Sequence, residues 1–354
     1  MLVVRVVSHW LVWRFIFPML VTIPIMMRSI KYFLCVGLLW VFLFNPTFAG
    51  EFQLREQNPL ALVFGLPLPG YARQPSESAW RTDVLINVSN TTNVLSSARD
   101  SLIIDGETAV LDVVFSRSIN NKLSIGAHIP FISHSGGGLD SFIKGYHDLF
   151  GFPQGERDEF KNNQLHYQYI RDGKVLLNQT GSSSGVGDIR ALIDYQLSQT
   201  DSSATALHAS LKLPTGDSAR LTGSEAVDFS AWLSGEYAFN PDWNIIGHAG
   251  FLGLGSGEIL PAQQRDAVFF AGGALAWQFT PAITLQLQAD WHSAFFDGSD
   301  LKLLGPALTL STGGFIRISN NSEIAIAVVE DIDVDSAPDV QFHVGWHYQP
   351  KTTQ

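Results

Sequence analysis

Apolar and polar side chains alternate strictly along this chain, one short segment after another, and no other feature restricts its fold as much. In AITLQLQADW, Ala282 to Trp291, the odd positions hold Ile283, Leu285, Leu287, Ala289 and Trp291, and the even positions Thr284, Gln286, Gln288 and Asp290. Successive strand side chains point to opposite faces, so this segment reads as a β-strand with one apolar and one polar face. About twelve such strands are read between Trp80 and Tyr348, the first two over Trp80 to Val88 and Thr108 to Ile119. Short connections built on Asn, Pro and Asp (INNK, FNPDW, FTPA, SNNS) alternate with long ones at 89–107, 133–186, 214–226, 254–266 and 294–306. Tight turns on one side and long loops on the other are the pattern of a transmembrane β-barrel.

Parity carries the reading further. Through the first nine strands Leu111, Phe115, Ile125, Ile129, Ile193, Leu211, Phe229, Leu233, Phe251, Leu275 and Leu287 fall on odd positions, and charged residues fall on even ones. An open sheet in hydrocarbon would leave backbone groups unpaired, so the sheet must close. The expected fold is all-β, a closed antiparallel transmembrane barrel of about 12 strands with its charged parity inward. The predicted lumen-facing residues are His128, Asp188, Arg190, Asp194, His208, Lys212, Asp228, Glu236, His248, Asp290, His292, Arg317, His343 and His347. Phe239, Trp243, Trp277, Phe279 and Trp346 at the short-turn ends, with Phe131, Phe251, Phe269 and Trp291 at the long-loop ends, would form two aromatic girdles. The competing reading is a soluble sandwich whose core those rings pack.

The amino end predicts export. Arg28 and Lys31 form a basic region, Tyr32 to Phe44 an apolar one, and Thr47-Phe48-Ala49 a small-residue cleavage site, so residues 1–49 read as a signal peptide with a true start at Met27. The rival reading is a membrane anchor formed by the whole apolar stretch. Cleavage would remove the only cysteine, Cys35, which excludes thiolate metal sites and a Cys nucleophile in the exported chain. It would also remove four basic residues and no acid from a chain already at net charge −11, a balance unsuited to nucleic acid. The Pro-rich stretch at 50–79 reads as a periplasmic lead-in, 80–348 as the barrel and 349–354 as a tail.

Two segments depart from the pattern. His166 to Asn178 reads as a hairpin turning at Asp172-Gly173; if the 164–178 hairpin joined the wall, the count would be 14. In the 139–150 loop, Phe142, Ile143, Tyr146, Leu149 and Phe150 stand at helical intervals, either as a surface helix or as a plug or lid over the barrel mouth.

SGVGDIRALIDYQL, Ser184 to Leu197, followed by HASLKLPTGD, His208 to Asp217, resembles the GxGD and KLPTGD pairing of Gram-negative outer-membrane barrels. The groups it resembles are the meta-pathway phenol-degradation transporters and, more closely through GLPLPG, HIPF, LDSFIKGYHDLFG and VVEDI, an uncharacterised family with a domain of unknown function. The motif residues are Gly185, Gly187, Asp188, Lys212, Pro214, Thr215, Gly216 and Asp217. The resemblance implies the barrel, the outer membrane, and transport of small, hydrophobic solutes.

Chemistry other than transport leaves weaker marks. No Ser, His and acid stand together in sequence; His292 beside Asp290 and Ser293 is the nearest arrangement, and His128 with His134 the nearest metal pair. Asp331, Asp333 and Asp335 begin like a calcium loop, but Ser336 and Phe342 replace its glycine and its glutamate. A solvated acidic loop, or one bridging a divalent cation to lipid phosphate, remains. No cofactor is expected.

The chain is therefore expected to be a monomer in the cell outer membrane, in contact with lipid and lipopolysaccharide and inserted by the barrel-assembly machinery. A pore for small solutes leads, with a sealed structural barrel and a lipid-modifying enzyme as alternatives. Tyr348 is followed by QPKTTQ rather than ending the chain, so an insertion signal would lie around Trp346 and Tyr348.

Overall fold

The structure is a computed structural model that describes residues 50–75, 78–142, 144–145, 161–333 and 335–350. Fifteen strands form one antiparallel sheet: β1 (Trp80–Ser96), β2 (Asp100–Ser118), β3 (Leu123–Ser135), β4 (His166–Arg171), β5 (Lys174–Gln179), β6 (Ser183–Val186), β7 (Arg190–Gln199) and β8 (Ser203–Lys212), then β9 (Asp228–Ala238), β10 (Trp243–Gly253), β11 (Ala267–Thr280), β12 (Ile283–His292), β13 (Ala307–Ser319), β14 (Ser322–Asp331) and β15 (Val340–Tyr348). Twelve of them, all but β4, β5 and β6, form a ring. Pairing of β1 with β15, from Thr82 opposite Tyr348 to Asn90 opposite Val340, closes it. No edge is left in the wall, as a hydrocarbon surround requires.

Two of the predicted connections take other forms. Residues 89–107 are not a loop: β1 and β2 stay paired out to Ser96 opposite Ser101, a hairpin that runs on beyond the wall. Polar residues on both faces of this extension hide the alternation. The hairpin of β4 and β5 pairs with that extension, Asp100 opposite Arg171 to Asp105 opposite His166, and β6 pairs with the end of β3, so the ring holds twelve strands rather than 14.

The outward face is apolar. In β12 Leu285, Leu287 and Trp291 are exposed (Leu287 to 47%), while Thr284, Gln286 and Gln288 are buried. From β13 on, and in β1 as well, the exposed parity is even, as at Ile316, Ile326, Val344, Trp346 and Ile86, which turns Phe315, His343, His347 and, in β1 against the expected odd parity, Asp83, Leu85 and Asn87 inward. Rings border the band: Trp243 stacks on Trp277 at 5.6 Å and Trp346 on Tyr348 at 5.6 Å at the short-turn ends, and Phe229 meets Phe251 at the other. No described helix is long and apolar enough to cross a membrane.

The stretch at 50–79 is not an external lead-in. Residues 51–69 are all buried, because this segment folds back on itself inside the ring. One arm, 50–57, leans on β12 to β15, where Phe52 and Leu54 pack with Phe315, Ala325, Ala327 and Val329. A single helical turn, α1 (Pro59–Leu62), capped by the Asn58 side chain accepting from Leu60 N–H, reverses the chain beneath the long loops. There Leu60, Val63 and Phe64 join Leu102, Ile104, Tyr167, Tyr169, Phe295, Phe296 and Leu303 in the largest apolar cluster. The second arm returns along β7 to β9 and reaches the short-turn end, where Arg73 donates to the Thr200 carbonyl. An apolar run such as PLALVFGLPLPG has no use for water; the lumen gives it both a core and polar partners for its backbone.

Candidate functional site

The lumen is thus an interface between a strand wall and a chain segment, and the inward parity supplies the grip. The motif residues build the first contact. Lys212 Nζ on β8 donates to Asp188 Oδ2 at 2.5 Å and Ser224 Oγ at 2.6 Å, and lies 3.2 Å from Asp228 Oδ2 on β9. Asp188 also accepts from Gly216 N–H (2.7 Å) and Ser224 N–H (3.1 Å), and Thr215 Oγ1 accepts from Ile189 N–H while donating to the Gly187 carbonyl. Gly187 N–H donates to the Pro130 carbonyl, and Asp217 caps a short turn at Ser218–Arg220. GxGD and KLPTGD are therefore two halves of one joint, buried at Gly187, Asp188 and Lys212, that pins the 214–226 loop to the wall. That joint also holds the segment: Lys212 donates to the Val63 carbonyl and Gly65 N–H to Asp228 Oδ2. Gly185 lies on β6, against Thr222.

A second contact lies beside it. Arg55 of the segment donates to Asp112 Oδ1 at 3.3 Å and to the Leu62 carbonyl, His128 Nε2 is 2.6 Å from the same Asp112 oxygen, and Arg190 donates to the Phe64 carbonyl. Every one of these side chains is buried, and pairing with opposite charge is what makes such burial tolerable, although Arg55 Nε, Asp112 Oδ2 and Arg190 Nε find no hydrogen-bond partner. His134, six residues on, bonds Thr108 and the Leu221 carbonyl instead, so His128 and His134, the nearest metal pair in the sequence, do not come together. On one strand six residues span about 20 Å, too far for two ligands.

The remaining inward residues line the two arms. Trp232 Nε1 donates to the Pro69 carbonyl, Gln196 to the Ala72 carbonyl, and Arg73 Nε to Glu236 Oε1 at 2.7 Å. Tyr71, Asp83 and His347 form a hydrogen-bonded group near the short-turn end, and His343 bonds Asn87. Arg317 lies at that end as well, half-buried, donating to the Pro281 carbonyl. Glu51 Oε1 is 3.0 Å from His248 Nδ1, and Glu56 Oε2 is 3.5 Å from His292 Nε2. A cavity of about 40 Å³ is lined by Arg55, Glu56, His248, Asp290 and His292 among others, room for water and little else.

His292 meets neither the Asp290 carboxylate nor the Ser293 hydroxyl: its Nδ1 contacts the Ser293 carbonyl, Asp290 accepts from Gln288, and the Ser293 hydroxyl accepts from Phe269 N–H. A Ser, His and acid do come together elsewhere. Asp194 Oδ1, His208 and Ser234 Oγ lie in line on β7, β8 and β9, 2.6 Å and 2.7 Å apart. Sequence separations of 14 and 26 residues conceal them, because cross-strand neighbours depend on register. The order matches a serine hydrolase, but the imidazole is stacked on Trp232 and Ser234 is 1% exposed, so no substrate reaches the hydroxyl past the segment.

Glu51, Arg55, Glu56 and Arg73, on the segment, are among the residues the alternation pattern missed. Charges in a Pro-rich apolar run, needing buried partners, were their only mark. Among the plug or lid residues expected in the 139–150 loop, Phe142 is 58% exposed against Phe342, and Ile143, Tyr146, Leu149 and Phe150 lie outside the described residues. In the acidic loop Asp331 accepts from Ser336 and Ala337 N–H, and Asp333 pairs with Lys302 at 3.0 Å, which holds that ammonium above its usual range.

Comparisons with known proteins give the fold a context. A family model described as "Protein of unknown function (DUF3187)" matches residues 30–349. Among curated proteins none matches. The COG4313 outer membrane channel from Pseudomonas putida F1 superposes with a TM-score of 0.54 at 10% identity, over 80% of this chain and 99% of that one. The KdgM porin gives a TM-score of 0.40 at 10% identity, over 76% and 98%, and the Pseudomonas putida toluene transporter TodX 0.35 at 11%, over 84% and 94%. The first of these shares the fold.

Proposed function

The chain belongs to the DUF3187 family, and we propose that it is an outer-membrane channel for small solutes held shut by its own residues 50–75. One observation carries the reading: the ring is filled by a chain segment tied on by side chains, not by a packed core of wall residues. A ring of twelve strands is wider than the barrels of about eight strands whose own side chains fill them, so what closes this one is the inserted segment. An apolar band of exposed Leu, Ile, Phe and Trp supports residence in a bilayer, and the export signal read at 27–49 supports the outer membrane as that bilayer. The motif likeness to phenol-degradation transporters supports a small, apolar cargo. In planar bilayers the intact protein should be closed for most of the time and a chain lacking 51–72 steadily open; silence in both refutes a pore.

A second reading, hydrolysis of an outer-membrane lipid ester, draws on the Asp194–His208–Ser234 alignment. It requires the segment to withdraw, and predicts turnover by the chain lacking 51–72 that Ser234→Ala abolishes.

A further inference from the structure

His248, Gly272 and Asp290 stand in one cross-strand row, His248 opposite Gly272 on β10 and β11 and Gly272 opposite Asp290 on β11 and β12. The middle residue has no side chain, and a Cβ there would run into both His248 Cε1 and Asp290 Oδ1. The wall therefore has a notch into which an imidazole and a carboxylate converge. Glu51, from the first arm of the segment, closes the notch: its Oε1 is 3.0 Å from His248 Nδ1, while Asp290 Oδ1 is 3.9 Å from His248 Nε2. One ligand atom from each of the three lies within 4.8 Å of the others, the only such grouping among the described residues.

The charge balance of this spot is incomplete. Glu51 is fully buried, and its Oε2 has no hydrogen-bond partner. Asp290 receives only Gln288, and among the described residues neither carboxylate pairs with a Lys or Arg. Elsewhere in this lumen the buried carboxylates Asp112, Asp188 and Asp228 meet Arg55 or Lys212, and Glu236 meets Arg73. Two carboxylates drawn to one imidazole, with no Lys or Arg beside them, call for a further positive charge.

We propose that a divalent transition-metal ion of the zinc type binds Glu51, His248 and Asp290 and clasps the segment to the wall. One nitrogen and two carboxylate oxygens suit Zn²⁺, whereas Mg²⁺ and Ca²⁺ favour all-oxygen shells. The 40 Å³ cavity lined by His248 and Asp290 leaves room for a water as the fourth ligand. Two ligands belong to the wall and one to the segment, so the ion is bound only while the segment is seated; by linkage, its binding favours the seated state. This action rests on the segment closing a channel, whereas the binding itself does not.

The test is Zn²⁺ titration of the folded full chain in detergent by calorimetry, with bound metal counted after dialysis. One ion per chain is expected, with affinity falling at least ten-fold in Glu51→Gln, His248→Ala and Asp290→Asn. Glu51→Gln leaves every wall residue intact, so it reports on the site even if a wall variant fails to fold. Absence of stoichiometric binding, or binding kept in all three variants, overturns the site. In bilayers micromolar Zn²⁺ should reduce openings of the intact chain several-fold and leave Glu51→Gln unmoved; stoichiometric binding with equal openings overturns the clasp. A chain that never conducts, even without 51–72, fails the channel reading while the titration still decides the site.

Discussion

Phe52→Ala separates the segment from the barrel in a single substitution. The Phe52 ring is fully buried, stacked on Phe315 at 5.0 Å and 13°, edge-on to His343 at 6.2 Å, and packed against Ala325, Ala327 and Val329. Truncating a ring so placed costs about 3–5 kcal/mol, the sum of lost transfer energy and the cavity left behind. The two backbone hydrogen bonds to Gln288 survive the change, which favours the lower end. Because Phe52 contributes nothing to the strand ladder, that cost falls on the seated segment and not on the wall. At about 1.4 kcal/mol per factor of ten, release of the first arm rises by roughly a hundred-fold or more. Single-channel recording should show this as frequent partial openings, since only the half of the lumen along β12 to β15 is vacated. Thermal unfolding of the barrel, followed by its gel mobility in detergent, should stay within a few degrees of the parent. An unchanged opening frequency, or a large loss of barrel stability, would refute the assignment of Phe52 to a separable plug.

Other substitutions divide the same way. Gly65→Val places a Cβ against Asp228 and Leu252, and overpacking of this kind costs about 1–3 kcal/mol, so the second arm should unseat while the barrel still folds. Lys212→Met leaves Asp188 and Asp228 buried without their cation; breaking a buried pair costs about 3–5 kcal/mol, read as a lower urea midpoint, whereas Asp188→Asn with Lys212→Met and Asp228→Asn should recover most of it. Leu287→Arg, outward in the middle of the apolar band, should cost about 2–4 kcal/mol in lipid, far more than the same change at a long-loop tip such as Asp300.

The wall was readable because a closed barrel writes its two faces into alternate residues. Leu285 and Leu287 outward, Gln286 and Gln288 inward, follow from parity alone, and a single tight turn keeps the phase from strand to strand. The lead-in was misread for the same reason: a segment threaded through a lumen has no period of its own, and PLALVFGLPLPG gives neither strand nor helix. Its charges, Glu51, Arg55 and Glu56, find their partners 57 to 236 residues away, across a ring whose register no local pattern encodes. Glycines Gly187 and Gly216 and the pair Asp188 and Lys212 stood out as a motif, yet only three dimensions show that the motif is a joint. Ser234 carried no mark at all.

Conductance with and without residues 51–72 tests the central claim most directly. A ring of twelve strands spaced about 4.8 Å and tilted about 40° is roughly 24 Å across between backbones, wide enough for a water-filled path once the segment is gone. A plug predicts a closed intact chain with brief openings and a deletion chain that folds, shifts on heating as the parent does, and conducts without closing. Equal conductance from the two folded proteins would contradict it.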